Sequence, residues 1–561
     1  MASTTTVGAD VLVQNLINQG VDRVFCVPGA KIDRVLESLR QNADRIQVVL
    51  CRNEQSGAFM AAAHGRRTGK AGVVLATSGP GVSNLTTGLV TATTEGDAIV
   101  AFGGAVPLSQ RLKRTHQSMD NVAILKPVCK SAVEVDATHA IAEVVANAFR
   151  TAESGRPGAS FISIPMDIMM QPTEMHILTP VSPPKLGAGN KDAIAAAAAA
   201  INGAQMPVIL CGGGASSHDA TVALRGLLSV HPCPCVSTFQ GTGTVPKSMA
   251  SLYVGRVGLI KNQPADRLLD AADVLLCVGY DVVEYDAQLW NNSTPKVIIH
   301  LDLTPFDVDV AYNPAIEVLG DVADSLRELA LKLELHEKLN ATENALVVEA
   351  TMERQQFADA VKAASPAAGL VHPIQIVHAL QKVVDEHGED VAIFSDMGSF
   401  HIWLSRYLVV HHPRQLSNTN GQQTLGVALP WAMSCAFDEP QKKILSVSGD
   451  GGFLFSAFEL ETAVRHKLDL THVIFDDQEY NMVAIQQRKK YRAVKAVHLG
   501  EVDFVGLAKS LGAGGVLVTD PAEIEGAIQL GLDTPGPFVV HCRVDYSDND
   551  KLFAEASFEQ H

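Results

Sequence analysis

The nine cysteines of this 561-residue chain include no Cys-x-x-Cys pair. Cys233 and Cys235 form only a Cys-Pro-Cys run, a poor metal pattern. Most of the others, such as Cys26, Cys211, Cys277 and Cys542, lie inside apolar, strand-like stretches and read as buried thiols in a reducing compartment. The chain also lacks any run of 18 apolar residues, and its opening, MASTTTVGAD, has neither a charged n-region nor an apolar h-region. Neither a membrane span nor export is expected, and the expected location is cytoplasmic. Positive charge is in deficit, with 44 basic against 61 acidic residues and a net charge of −17. That balance argues against nucleic acid or an anionic membrane as a partner.

What remains is the composition of a large α/β protein, 47% hydrophobic and 19% charged. The length predicts about three domains. In residues 1–170, apolar runs at Val24–Val27, Ile46–Cys51, Gly72–Ala76, Ala98–Phe102 and Ala159–Ile164 alternate with helical stretches. This is the rhythm of a doubly wound parallel sheet. Residues 171–190 are rich in proline and polar side chains and predict a linker. A central α/β domain is expected over 191–336, with a helix at Ala193–Ile201 and strands at Val208–Cys211, Val274–Val278 and Val297–Leu301. A helix-leaning stretch, Glu337–Ala364, lies within a second linker, 337–370. A third α/β domain, 371–545, has strands near Val391–Ser395, Ile444–Ser448, His472–Phe475 and Phe538–Val544, followed by a polar tail, 546–561.

The most informative spacing is in this last domain. A buried strand, Lys443–Ser448, runs into Gly449-Asp450-Gly451; a helix is predicted over Phe453–His466; a second apolar run, Leu470–Phe475, ends at Asp476-Asp477. Asp477 stands 27 positions after Asp450. A strand–helix–strand unit with a right-handed crossover brings the carboxyl ends of both strands to one edge, so the two carboxylates face each other across a crevice. Such a pair beside backbone N–H groups suits a hard cation that bridges to a diphosphate. Taken alone, Gly-Asp-Gly is ordinarily a turn; the placement is what gives it chemical meaning.

The span from Gly449 to Met482 resembles the diphosphate-anchoring motif of thiamine-diphosphate (ThDP) enzymes. The resemblance implies that Gly449, Asp450, Gly451, Gly452, Asn481 and Met482 bind the cofactor, and that Mg2+ is held by Asp450, Asp477 and a residue two positions on, Glu479, through its side chain or its backbone carbonyl. Asp477 stands where the family more often has asparagine. Other motifs of the same family follow in order. Glu54, just past a strand and at a helix start, matches the glutamate held against the aminopyrimidine; its alternative reading is an acid complementing a helix N-terminus. Asn53 occupies a position where the family usually has histidine. Thr77-Ser78-Gly79-Pro80-Gly81 matches a first-domain loop, with Thr77 and Gly81 toward the cofactor. Gln423 and Leu425, in Gly421–Gly426, match the segment that supports the cofactor's bent shape. Ser399 and His401, in Asp396–Trp403, are placed for diphosphate oxygens, although a structural role for His401 is an open alternative.

The likeness covers nearly the whole chain and is nearest to the catabolic, flavin-independent acetolactate synthases, through Val27–Asp33, His116–Asp120, Asp396–Trp403, the run from Asn420 to Ala432, and Asn481–Gln486. It implies that the first and third domains bind the pyrimidine and diphosphate ends, with Glu54 as the acid/base group. The implied reaction joins two pyruvates into 2-acetolactate and CO2 through a carbanion on the cofactor. Gln117 and Gln486 would contact substrate or intermediate. Lys31 would favour a carboxylate or, equally, be a solvated helix-start lysine. A homodimer is the implied minimum, with a homotetramer expected. FAD is not expected, because the stretch after Leu275–Val278, Gly279 to Asp286, has no arginine for its diphosphate. Rival readings within the family are a pyruvate decarboxylase or oxidase and the flavin-containing acetohydroxyacid synthase; outside it, a non-catalytic nucleotide-binding protein.

Relatives that favour 2-ketobutyrate carry tryptophan where this chain has Gln486, whose amide suits a compact second pyruvate. One methylene in an apolar pocket is worth only about 1–3 kcal/mol. At equal concentrations of the two keto acids, acetolactate is therefore expected to dominate over 2-aceto-2-hydroxybutyrate, as product analysis of a competition assay would read.

Overall fold

A computed structural model describes residues 5–258, 261, 263–291, 295–334 and 344–552. Its strands pair in parallel into three six-stranded sheets. The first contains β1 (Arg23–Val27), β2 (Gln47–Leu50), β3 (Gly72–Ala76), β4 (Ile99–Ala105), β5 (Ser131–Glu134) and β6 (Ala159–Pro165), in the order β2-β1-β3-β4-β6-β5. The second contains β7 (Pro207–Cys211), β8 (Cys235–Ser237), β9 (Tyr253–Arg256), β10 (Val274–Val278), β11 (Val297–Asp302) and β12 (Ile316–Leu319), in the order β12-β11-β10-β7-β8-β9. The third contains β13 (Val391–Ser395), β14 (Leu416–Asn418), β15 (Lys443–Gly449), β16 (Leu470–Asp476), β17 (Gly514–Val518) and β18 (Pro537–Arg543), in the order β14-β13-β15-β16-β18-β17. The first and third sheets thus share one topology. The central sheet has the order of a dinucleotide-binding fold.

Interior strands such as β3, β4, β7, β10 and β13 are buried at every position, because helices cover both faces of a parallel sheet. The strands not expected from the sequence are β5, β8, β9, β12, β14 and β17. All but β8 are at a sheet edge, where a long apolar run is not required. The helix expected over Phe453–His466 is instead two helices, Asp450–Leu454 and Glu459–Arg465. Between them the chain turns on three-residue bonds, with Phe455, Glu459 and Leu460 N–H donating to the carbonyls of Gly452, Ser456 and Ala457. In the stretch Glu337–Ala364, helices occupy Ala345–Gln355 and Phe357–Ala363, and residues 337–343 lie outside the described set. The tail contributes a helix, Asn549–Leu552, beyond which the residues are likewise outside it.

The chain forms two compact units. The first is Met1–Pro184 with Leu429–Pro440 and Ser456–Leu468; the second is Lys185–Ala428 with Gln441–Phe455 and Asp469–His561. Two segments from late in the sequence therefore complete the unit that holds the first sheet. Asp438 accepts from Arg23 at 2.7 Å and pairs with His64 at 2.9 Å, and the Arg23 guanidinium also lies 4.6 Å over the Phe437 ring. Arg66, on the helix Glu54–Thr68, donates through Nε to Asp97 at 2.8 Å and lies 4.3 Å over the Trp431 ring. Burial works against its charge, but Asp97 and Glu95 outweigh that and hold its pKa above the usual arginine value.

Removing one member of such a buried charge network leaves the others uncompensated, at a cost of about 3–5 kcal/mol. Arg66→Ala is expected to lower stability by that amount, read as an earlier denaturant midpoint for the first sheet's unit.

Candidate active site

Parallel strands send their carboxyl ends to one edge, and in both the first and third sheets the candidate residues follow those ends. In the first unit, Glu54 opens the helix after β2. Its N-cap, Asn53, has extended backbone, and the Asn53 side chain accepts from Gln55 N–H at 2.8 Å. The Glu54 carboxyl is 8% exposed, and Oε2 accepts from Asn84 Nδ2 at 2.9 Å. A Cβ at Gly81 would stand 3.2 Å from Glu54 Oε1 and 3.1 Å from Thr77 Cγ2, so only glycine leaves the carboxyl uncrowded. Thr77 Oγ1 is buried with no hydrogen-bond partner. Gln117 follows β4 and reaches the same loop: its Oε1 accepts from Ser78 Oγ at 3.2 Å, and its φ of 58° is in the left-handed region, an uncommon conformation for glutamine. Lys31 follows β1 and is half-buried, with its stem against Gly104.

In the second unit, Asp450 follows β15 and Asp477 follows β16. Burial, and after it the neighbouring Asp476 carboxylate, raises the pKa of Asp450. Burial, followed by the charge of Asp450, pushes Asp477 up to about 8. Asp476 shifts the other way: burial opposes its charge, but His541 at 2.8 Å and Arg543 hold its pKa down. Two buried carboxylates, one raised by the charge of the other, are hard-oxygen donors that a divalent cation would relieve, so Asp450 and Asp477 fit Mg2+. The Glu479 side chain is engaged elsewhere, with Arg488 at 2.7 Å and His498 at 3.2 Å. Its backbone carbonyl accepts from Asn481 N–H at 2.8 Å and retains a second lone pair for a cation. Among the described residues, no three His, Cys, Asp or Glu side chains form a ready-made metal cluster.

Asn481 gathers this half of the site. Its Nδ2 donates to Asp477 at 2.8 Å, and its Oδ1 accepts from Ser399 Oγ at 2.7 Å and from Asn549 Nδ2 at 2.8 Å. Met482 packs against the core of the third sheet. Gln486 is half-buried on the same helix, Asn481–Tyr491. Gln423 is exposed with φ 46°, Leu425 is half-buried, and Gly426 follows at φ 82°. His401 is placed differently from an open phosphate ligand. It is 1% exposed, its nitrogens face Ser395 Oγ at 3.2 Å and Ser405 Oγ at 3.0 Å, and burial, then Arg256, takes its pKa down to about 3.

Sequence reasoning assigned no role to Asp396, which ends up beneath Leu425. Its carboxylate accepts from the N–H groups of Gly426, Val427 and Ala428 at 2.9, 2.8 and 3.3 Å. Burial pushes its pKa up to about 7 against those three bonds. Asn84 was also missed; its position one helical turn beyond Gly81 was the available signal.

Three family profiles match the chain: "Thiamine pyrophosphate enzyme, N-terminal TPP binding domain" over residues 6–124, "Thiamine pyrophosphate enzyme, central domain" over 194–329, and "Thiamine pyrophosphate enzyme, C-terminal TPP binding domain" over 396–542. The chain is 44% identical to an acetolactate synthase of Bacillus subtilis, over 98% of this chain and 95% of that one. It is 45% identical to a catabolic acetolactate synthase of Raoultella terrigena, over 99% and 98%. It is 29% identical to the acetolactate synthase isozyme 1 large subunit of Escherichia coli, over 96% and 94%.

Asp450→Ala is expected to abolish metal-dependent retention of thiamine diphosphate, because cation and diphosphate neutralise each other only when both are held. Asp477→Asn is expected to be milder, since an amide oxygen still ligates. Calorimetric titration with and without Mg2+ gives the ranking.

Proposed function

We propose, on the premise that this chain belongs to the thiamine pyrophosphate enzyme family, that it is an acetolactate synthase joining two pyruvates into 2-acetolactate with loss of CO2. The observation that carries the reading is near-full-length identity of 44–45% to acetolactate synthases, together with Glu54 at one sheet edge and Asp450 and Asp477 at the edge of another. Bound thiamine diphosphate would supply the electron sink for decarboxylation of a 2-keto acid, and the electron pair so stored would form the carbon–carbon bond that follows. Glu54 shares a proton with the pyrimidine ring; Asn84 fixes Oε2, and Gly81 keeps Oε1 uncrowded. Asp450, Asp477 and the Glu479 carbonyl hold Mg2+. Ser399, Asn481 and the glycines Gly449, Gly451 and Gly452 receive the diphosphate, with Met482 behind them. Leu425, just ahead of the amides that Asp396 fixes, would support the bound cofactor together with Gln423. Thr77 has a buried, unpartnered hydroxyl available to the cofactor. Gln117, Gln486 and Lys31 present donors to pyruvate carboxylates. His401 acts by supporting the helix Ser399–Tyr407 from within.

The domain limits 1–170, 191–336 and 371–545 are supported by the three sheets, each of which falls within one of them. A homodimer, assembling to a homotetramer, is the assembly that the family likeness implies. We hold that the central sheet carries no FAD. Both Glu284 oxygens lie 3.0 Å from Gly213 N–H, in the glycine loop after β7 where a dinucleotide phosphate would sit, and Thr238 also bonds this carboxylate. Tyr280, Trp290, Phe306 and Tyr312 pack together beyond β10. A cytoplasmic location is supported by nine free cysteines, eight of them buried; no helix of the described residues is long and apolar enough to cross a membrane.

Incubation with pyruvate, thiamine diphosphate and Mg2+ is expected to yield acetolactate; acetaldehyde or acetate as main product would point to a decarboxylase or oxidase. Glu54→Gln is expected to bind the cofactor yet turn over on the order of 10²–10⁴ times more slowly. Near-normal activity of that variant would remove Glu54 from the chemistry.

A further inference from the structure

Glu459 is a carboxylate with 1% exposure on the helix Glu459–Arg465, a segment that belongs to the same unit as the first sheet. A buried acid needs partners, and those of Glu459 are concentrated on one turn. Its Oε1 accepts from the backbone N–H groups of Arg52 at 2.9 Å and Asn53 at 3.1 Å; its Oε2 accepts from Thr462 Oγ1 at 2.8 Å; the Ser56 hydroxyl bonds it as well. The same helix also reaches the residue before this turn, with Arg465 donating to the Leu50 carbonyl at 2.7 Å. Apart from Thr462, which is on the same helix as Glu459, these contacts fall between the end of β2 and the first turn of the helix that Glu54 opens. The amides of Arg52 and Asn53 precede that helix and have no bond within it, so Glu459 is the protein acceptor that ties them down.

We propose that Glu459 is the positioning residue for Glu54: its carboxylate clamps the β2–helix turn and thereby sets where the Glu54 carboxyl points. This rests on the assignment of Glu54 as the proton partner of the cofactor. Glu459 touches neither substrate nor cofactor and transfers no proton. Its oxygens serve as geometry, and an amide of the same shape can supply that geometry. Glutamine keeps one oxygen for the two backbone N–H groups and offers its amino group to Thr462 and Ser56, whose hydroxyls rotate to accept.

The test compares Glu459→Ala with Glu459→Gln. Glu459→Ala is expected to lower kcat on the order of 10- to 100-fold with little change in the KM for pyruvate, and Glu459→Gln to recover most of that loss. In protein free of cofactor, hydrogen–deuterium exchange of a peptide spanning residues 50–57 is expected to quicken in the alanine variant and to return toward the parent rate in the glutamine variant. Combined with Glu54→Gln, Glu459→Ala is expected to add little further loss, because it acts through the group already removed. An unchanged kcat in Glu459→Ala, or a loss in Glu459→Gln as deep as in Glu459→Ala, would overturn the proposal, the latter by pointing to a role for the charge itself. Unaltered exchange at 50–57 in a folded alanine variant would overturn it independently of activity. Full activity of Glu54→Gln alone would instead sink the assignment of Glu54, leaving the exchange measurement to judge the clamp.

Discussion

Buried carboxylates that accept hydrogen bonds from backbone amides at the carboxyl edges of the sheets hold this molecule's working loops in place. A parallel sheet gathers its loops at one edge, and each loop that opens a helix carries N–H groups with no partner in that helix. Asp396 takes three such amides at residues 426–428, Glu459 takes two at 52–53, and Glu284 takes one at 213. Each acid loses hydration on burial, and charge-assisted bonds to fixed amides offset that loss. The backbone is thereby tied down at the turn that bears Glu54 and at the loop that bears Leu425.

The central sheet supports the third one without joining its chemistry. Arg256, at the end of β9, donates to the carbonyls of Leu404 and Ser405 at 3.2 and 2.9 Å, and to that of Leu408. These are carbonyls at the C-terminal end of the helix Ser399–Tyr407, where a cation is favoured. The opposite end of that helix bears Ser399. A sheet with dinucleotide-binding order here braces the helix that opens at Ser399.

What the sequence revealed follows from which interactions are local. Strands buried on both faces are continuous apolar runs, so β3, β10, β13 and β15 were legible; β5, β14 and β17 are short edges whose pairing, and not their composition, makes them strands. The positions of Glu54, Asp450 and Asp477 at or just past the carboxyl ends of strands were legible, because the strands before them are apolar runs. His401 occupies an equally suggestive position, yet the helix turns its ring inward to Ser395 and Ser405, a direction that spacing alone does not carry. The open alternatives at Glu479 also needed the fold: Arg488 and His498 claim its side chain only once the helix Asn481–Tyr491 and the segment after it are in place. Asp396 and Glu459 were illegible as functional residues, since their partners are amides distant in the chain and amides carry no residue identity.

The late segments that complete the first unit also impose an order on synthesis. Residues up to Pro184 contain the entire first sheet and the turn that bears Glu54, but Trp431, Phe437, Asp438 and Glu459 are translated more than two hundred residues afterwards. A nascent chain can collapse its first sheet early, as N-terminal domains do, but it must keep the seats for these late helices open until almost the whole polypeptide has left the ribosome. Completion of the turn that bears Glu54 is therefore deferred until late in translation, and a chain released early lacks the residues that bond it.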